Sequence, residues 1–164
     1  MTDVIFKNTR FDPDLTPFHN LAKQMAKAFG YTADLDFDKN LAQLIRLRVA
    51  QYNQCSYCLI LHSKTAREIG IEQAKIDNLA SYWESELYSD TEKAALQYCD
   101  TLTEGTHLNF QSIHDQLSEY FSEKENAELA AIIINMNLWT RLKLAQGATP
   151  AYEEQESRAN EAAT

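Results

Sequence analysis

Residues 51–62 read Gln-Tyr-Asn-Gln-Cys-Ser-Tyr-Cys-Leu-Ile-Leu-His, and they set reactive side-chain types at spacings that chemistry can use. On a helix, where each residue turns about 100°, Cys58 falls about 60° from Cys55 and His62 about 20° from it. Two thiols and an imidazole then share one stripe. His62 stands four residues after Cys58 and reaches back over it, while Cys55 reaches Cys58 from the turn before. A thiol with an ordinary pKa near 8.5 is only about 3% thiolate at pH 7. Lowering that pKa by about two units takes roughly 2.7 kcal/mol, and a neighbouring imidazolium together with the positive end of a helix is the expected source. Asn53 and Gln54, polar between two apolar-periodic segments, predict a break that puts both cysteines in the opening turn of a new helix.

The elements that must position this stripe read as helices. The chain has only four glycines and three prolines, and its apolar residues recur at intervals of three and four rather than two. These features predict an all-α, single-domain helical bundle of about six or seven helices, with no strand. After an irregular start, Pro17 opens a helix with Phe18, Leu21, Ala22, Met25 and Phe29 on one face, ended by Gly30. A linker follows from Tyr31 to Asp38. Helices are then expected over about 39–52, 55–69 and 72–83. Ser89-Asp90-Thr91-Glu92 and Ser122-Glu123-Lys124-Glu125 read as capping boxes opening two further helices, with a shorter one over about 110–121 between them. Ala130 to Leu138 is apolar nearly all round, which predicts burial on several sides and a subunit interface. The domain is placed at residues 1–150, and residues 151–164 read as a polar, acidic tail.

At 164 residues and 18.8 kDa one domain suffices to bury a stable core. A formal charge of −9 and a pI near 4.9 argue against nucleic acid or an anionic membrane as a partner. The N-terminus shows no signal peptide, and no apolar run is long enough to span a membrane, so the expected location is cytoplasmic. Three cysteines in such a chain do not make a disulfide framework, and a close pair reads as redox or metal chemistry.

The run from Leu44 to Cys58, followed by His62 and Lys64-Thr65-Ala66-Arg67, resembles the alkylhydroperoxidase AhpD-like branch of the carboxymuconolactone decarboxylase superfamily. Residues 79–83, 88–96 and 135–142 are similar to the downstream pattern of that family, so the resemblance covers roughly residues 40–145. It implies that Cys58 is the peroxide-attacking thiol, that Cys55 resolves it into a disulfide, and that His62 takes and relays the proton. It also implies an external lipoyl or thioredoxin-like dithiol as reductant, a homotrimer or homohexamer, and no metal, flavin or haem cofactor. The family usually has a glutamate twelve residues before the first cysteine, where this chain has Gln43, which cannot titrate. It commonly has glycine just before that cysteine, where this chain has Gln54.

Other readings of the same residues stay open. Cys55, Cys58 and His62 are also compatible with two core cysteines and a surface histidine. A zinc site would need a fourth ligand, for which His19, His107 and His114 are the available histidines. Covalent haem attachment is excluded because Leu59, not histidine, follows Cys58. Cys99, between Leu96 and Leu102 in a periodic helix, reads as an inert core thiol. Tyr57 is expected to point off the stripe against a neighbour, and Trp139 with Arg141 to form pocket wall, oligomer contact or core. The competing functions are a non-catalytic redox sensor and, lower, a lactone decarboxylase, whose chemistry has no use for paired thiols.

Overall fold

The computed structural model describes residues 3–105 and 109–153. The elements run β1 (Val4–Asn8), a 3-10 turn (Pro13–Leu15), α1 (Phe18–Phe29), α2 (Lys39–Tyr52), α3 (Ser56–Glu68), α4 (Gln73–Asn78), a 3-10 segment (Leu79–Glu84), α5 (Asp90–Glu104), α6 (Phe110–Ser118), α7 (Glu123–Gln146) and β2 (Ala148–Tyr152). The fold is a mainly helical single domain. Both capping boxes form as expected: Ser89 with Glu92 opens α5, and Ser122 with Glu125 opens α7. These are local devices, satisfied within four residues.

The central element is α2. All ten residues from Leu41 to Ala50 are buried, because α3, α5 and α7 pack around it. Even its polar members are enclosed, and Arg48 is held by a two-point ion pair with Asp100 of α5, at 2.7 and 3.0 Å. α7 is not enclosed all round: Ile132, Ile133 and Met136 enter the core, but Ile134 remains 54% exposed.

Three expectations are corrected. The helix expected over 72–83 is α4 followed by a 3-10 segment, with the break at Ser81, whose φ is −127°. On α1 only Ala22 is fully buried, whereas Phe18 and Leu21 are exposed. A two-stranded antiparallel ribbon exists where no strand was expected, pairing Val4 with Tyr152 through to Asn8 with Ala148. Gly147, at φ 69°, turns the chain from α7 straight into β2. The ribbon runs across the boundary drawn at residue 150, and residues 154–164 lie outside the described residues.

Candidate active site

The cysteine pair sits where α2 ends and α3 begins. α2 closes with the Gln54 N–H donating to the Gln51 carbonyl at 3.2 Å and the Cys55 N–H to the Ala50 carbonyl at 3.1 Å. This double closure needs a left-handed residue just before Cys55. Gln54 takes that conformation, at φ 53°, so the chain keeps the turn a glycine would make and bears the strain of a side chain in it. Cys55 is then the N-cap of α3, its Sγ accepting the Cys58 N–H at 3.3 Å. The two cysteines are joined as a disulfide, with Cα atoms 5.3 Å apart. In the dithiol state the positive end of α3 favours negative charge on these sulfurs.

His62 lies one turn along α3 and is buried. Its Nδ1 meets the Tyr31 hydroxyl at 2.5 Å. Gln43 is fully buried on α2; its Nε2 donates to the His62 backbone carbonyl at 2.9 Å and stands 3.4 Å from Nδ1. The amide thus ties α2 to α3 at His62, and the phenol holds the ring. Burial, helped by the charge of Arg46, pushes His62 down to about 3. With the disulfide formed, the imidazole is neutral at pH 7.

Tyr31 is the residue the sequence reading missed, since it stands in a linker with no motif around it. Folding brings it between His62 and Arg46, whose guanidinium lies 5.0 Å from the centre of the Tyr31 ring.

Cys58 and His62 line a cavity of about 540 Å³ whose walls include Tyr31, Tyr57, Met136 and Trp139. Cys55 does not line it and packs with Ala50 and Leu59 instead. Tyr57 does pack against a neighbour, Phe6 of β1, with ring centroids 4.6 Å apart, yet it also borders the cavity. Trp139 forms wall, while Arg141 donates to Asn137 at 2.7 Å. Of the histidines weighed as zinc ligands, His19 lines the cavity with its Nδ1 2.7 Å from Asp14, and His114 lies tilted toward Tyr98, with ring centroids 6.5 Å apart. His107 lies outside the described residues. Among the described residues no three His, Cys, Asp or Glu side chains gather into a group able to hold a metal ion. Cys99 is buried, and burial pushes its thiol far above the usual range.

The sequence profile of the carboxymuconolactone decarboxylase family matches residues 20–101. The uncharacterized protein YdfG of Bacillus subtilis (strain 168) is 31% identical over 119 residues, covering 71% of this chain and 80% of that protein. Among solved structures, a protein of unknown function from Agrobacterium tumefaciens, whose suggested assignment is the antioxidant defence protein AhpD, is similar with a TM-score of 0.79. It is 22% identical, with 86% of this chain and 97% of that chain covered. The debrominase Bmp8, solved as a cysteine-to-alanine variant with 2,3,4-tribromopyrrole, is similar with a TM-score of 0.66 at 25% identity, covering 84% of this chain and 71% of that one. By its sequence profile the chain belongs to the carboxymuconolactone decarboxylase family, and its fold is AhpD-like.

Proposed function

We propose that the chain is a thiol-dependent peroxidase of the AhpD-like kind. The observation that carries this reading is the unequal placement of two bonded sulfurs: Cys58 lines the cavity, and Cys55 sits behind it. A substrate in the cavity meets one sulfur, and the other is already within bonding reach of the first.

In the proposed cycle the Cys58 thiolate attacks the terminal oxygen of a hydroperoxide, the O–O bond breaks, and Cys58 becomes a sulfenic acid. The departing alkoxide takes the proton that Cys58 gave up, relayed by His62 with Tyr31 behind it. Cys55 then attacks the Cys58 sulfur, the S–O bond breaks, and water leaves as the disulfide forms. One peroxide and two thiols give one alcohol, one water and one disulfide. An external dithiol, lipoyl or thioredoxin-like, restores the thiols by exchange. The cycle uses no metal, flavin or haem, and it suits a reducing compartment such as the cytoplasm. No helix among the described residues is long and apolar enough to cross a membrane. The working unit in this reading is a homotrimer or homohexamer, supported by the apolar side chains that α1 and α7 leave exposed.

The similarity to an antioxidant-defence assignment in Agrobacterium tumefaciens supports the reading. So does the debrominase, a chain of this fold solved with a small organic molecule. The test follows reduced protein by mass under peroxide. Wild type is expected to form the Cys55–Cys58 disulfide, Cys55→Ser to stop at the sulfenic acid, and Cys58→Ser to stay unoxidised at Cys55. If the wild-type thiols survive peroxide, or if Cys58→Ser turns peroxide over at full rate, the proposal fails.

A further inference from the structure

Arg46 lines the same cavity as Cys58, from the enclosed face of α2. It is only 5% exposed, and none of the ion pairs among the described residues includes it. Its Nη2 donates to the Phe29 carbonyl at 3.2 Å and its Nη1 to Gln43 Oε1 at 3.5 Å, while its buried Nε makes no hydrogen bond to the protein. Burying an ionised group costs several kcal/mol unless it is paired, so buried charges are normally found with a counter-charge. The C-terminal carbonyl of α1 offsets only part of a full charge. Gln43, where the resemblance leads one to expect glutamate, is neutral. Among the described residues the buried guanidinium therefore has no anionic partner.

The rest of the cavity has the same bias. Lys143 overhangs the Tyr57 ring, its Nζ 4.6 Å from the centroid, and burial together with the charge of Lys23 holds its ammonium below the usual lysine range. Lys23 and Lys27 also line the cavity, in a chain of formal charge −9, and among the described residues no aspartate or glutamate does; Asp14 stands outside it, 2.7 Å from the cavity-lining His19. Asn135, buried on α7, lines it too, and its Oδ1, which accepts no hydrogen bond from the protein, suits a donor such as a hydroperoxide O–H rather than the anion. Between these polar groups the walls are apolar, supplied by Leu61, Met136 and Trp139. At about 540 Å³ the space is far larger than the roughly 30 Å³ a water-sized molecule occupies, and it falls in the range of pockets that enclose organic ligands.

We propose that the cavity over Cys58 takes an amphipathic organic carboxylate, its apolar body on Leu61, Met136 and Trp139 and its carboxylate on Arg46 and Lys143. This rests on the peroxidase reading for the reaction and names its substrate class as a carboxylate-bearing alkyl hydroperoxide, reduced to the corresponding hydroxy acid. Hydrogen peroxide, with neither charge nor apolar body, would gain nothing from these walls.

The experiment separates binding from turnover. Equilibrium dialysis compares octanoate with methyl octanoate, which differ in the charge. Octanoate is expected to bind the wild-type protein at least tenfold more tightly than the ester. Lys143→Gln and Arg46→Gln are each expected to weaken octanoate at least fivefold and to leave the ester within twofold. Because Arg46 is buried and its replacement can disturb folding, Lys143→Gln, at a half-buried site, decides the matter alone. Equal binding of acid and ester, or octanoate binding that Lys143→Gln does not change, overturns the inference. Thiol oxidation is then followed with a fatty-acid hydroperoxide and its methyl ester. Charge-selective octanoate binding with no oxidation by either peroxide upholds the anion site and defeats the peroxidase reading. Oxidation at equal KM for acid and ester does the reverse.

Discussion

His62 is held by a phenol where the family resemblance leads one to expect a carboxylate. A glutamate at position 43 would sit beside both His62 Nδ1 and Arg46, whereas Gln43 gives its stronger hydrogen bond to the His62 backbone. The ring nitrogen is left to Tyr31. Two outcomes follow at this scale. Tyr31→Phe removes one hydrogen bond worth about 1–1.5 kcal/mol, so peroxide-driven disulfide formation should slow roughly tenfold with the fold intact. Stopped-flow oxidation beside a thermal melt checks both halves of that statement, and an unchanged rate removes Tyr31 from the relay. Gln43→Glu supplies a counter-charge to Arg46 and a proton acceptor to His62, so His62 should titrate closer to its ordinary value and oxidation should quicken. Imidazole NMR titration reads the first, and the same kinetics the second.

At the scale of the element, the α2–α3 junction combines a helix end and a helix start in one short turn. Gln54 carries the left-handed backbone there with an exposed side chain, so its conformational cost stands nearly alone. Gln54→Gly should raise stability by about 0.5–1 kcal/mol, because glycine takes positive φ without the Cβ clash. Denaturant melts of the oxidised protein measure it, and a loss of stability would mean the side chain makes contacts that outweigh the strain. The junction was legible as a break at Asn53 and Gln54, and both capping boxes were legible as four-residue patterns, since each is satisfied locally. The ribbon of β1 and β2 was not: its strands are five residues each, and β1 is exposed throughout, so no alternation marks it.

For the whole molecule, His62 makes stability depend on acid. Its folded value is about 3 against an ordinary 6.5, so between those pH values the unfolded chain binds a proton that the folded chain does not. Stability should therefore fall as pH drops below 6.5, by roughly 2–3 kcal/mol at pH 4.5 from this residue. Urea midpoints at pH 7 and 4.5 for wild type and His62→Gln test this, and the variant should show a shallower acid loss by that amount. Assembly belongs to the same scale. Leu21 and Ile134, 56% and 54% exposed, are large apolar side chains that association would cover. Sedimentation should show a trimer or hexamer, with Ile134→Lys shifted toward monomer. A wild-type monomer at micromolar concentration would end the oligomer reading.

The sequence by itself determined the helical class, the two capped helices and the spacing that sets Cys58 and His62 one turn apart on α3. All of these rest on interactions within a turn or two, where spacing maps directly onto position. Tertiary structure alone decided the rest. Arg46 has no role assigned to it in the sequence and becomes a buried charge because three helices close around α2. Tyr31 looks like linker and becomes the partner of His62 from thirty-one residues away. Which sulfur meets the cavity, and which titratable groups stay neutral, depends on packing between elements distant in the chain, and burial sets those charges more strongly than any neighbour in sequence.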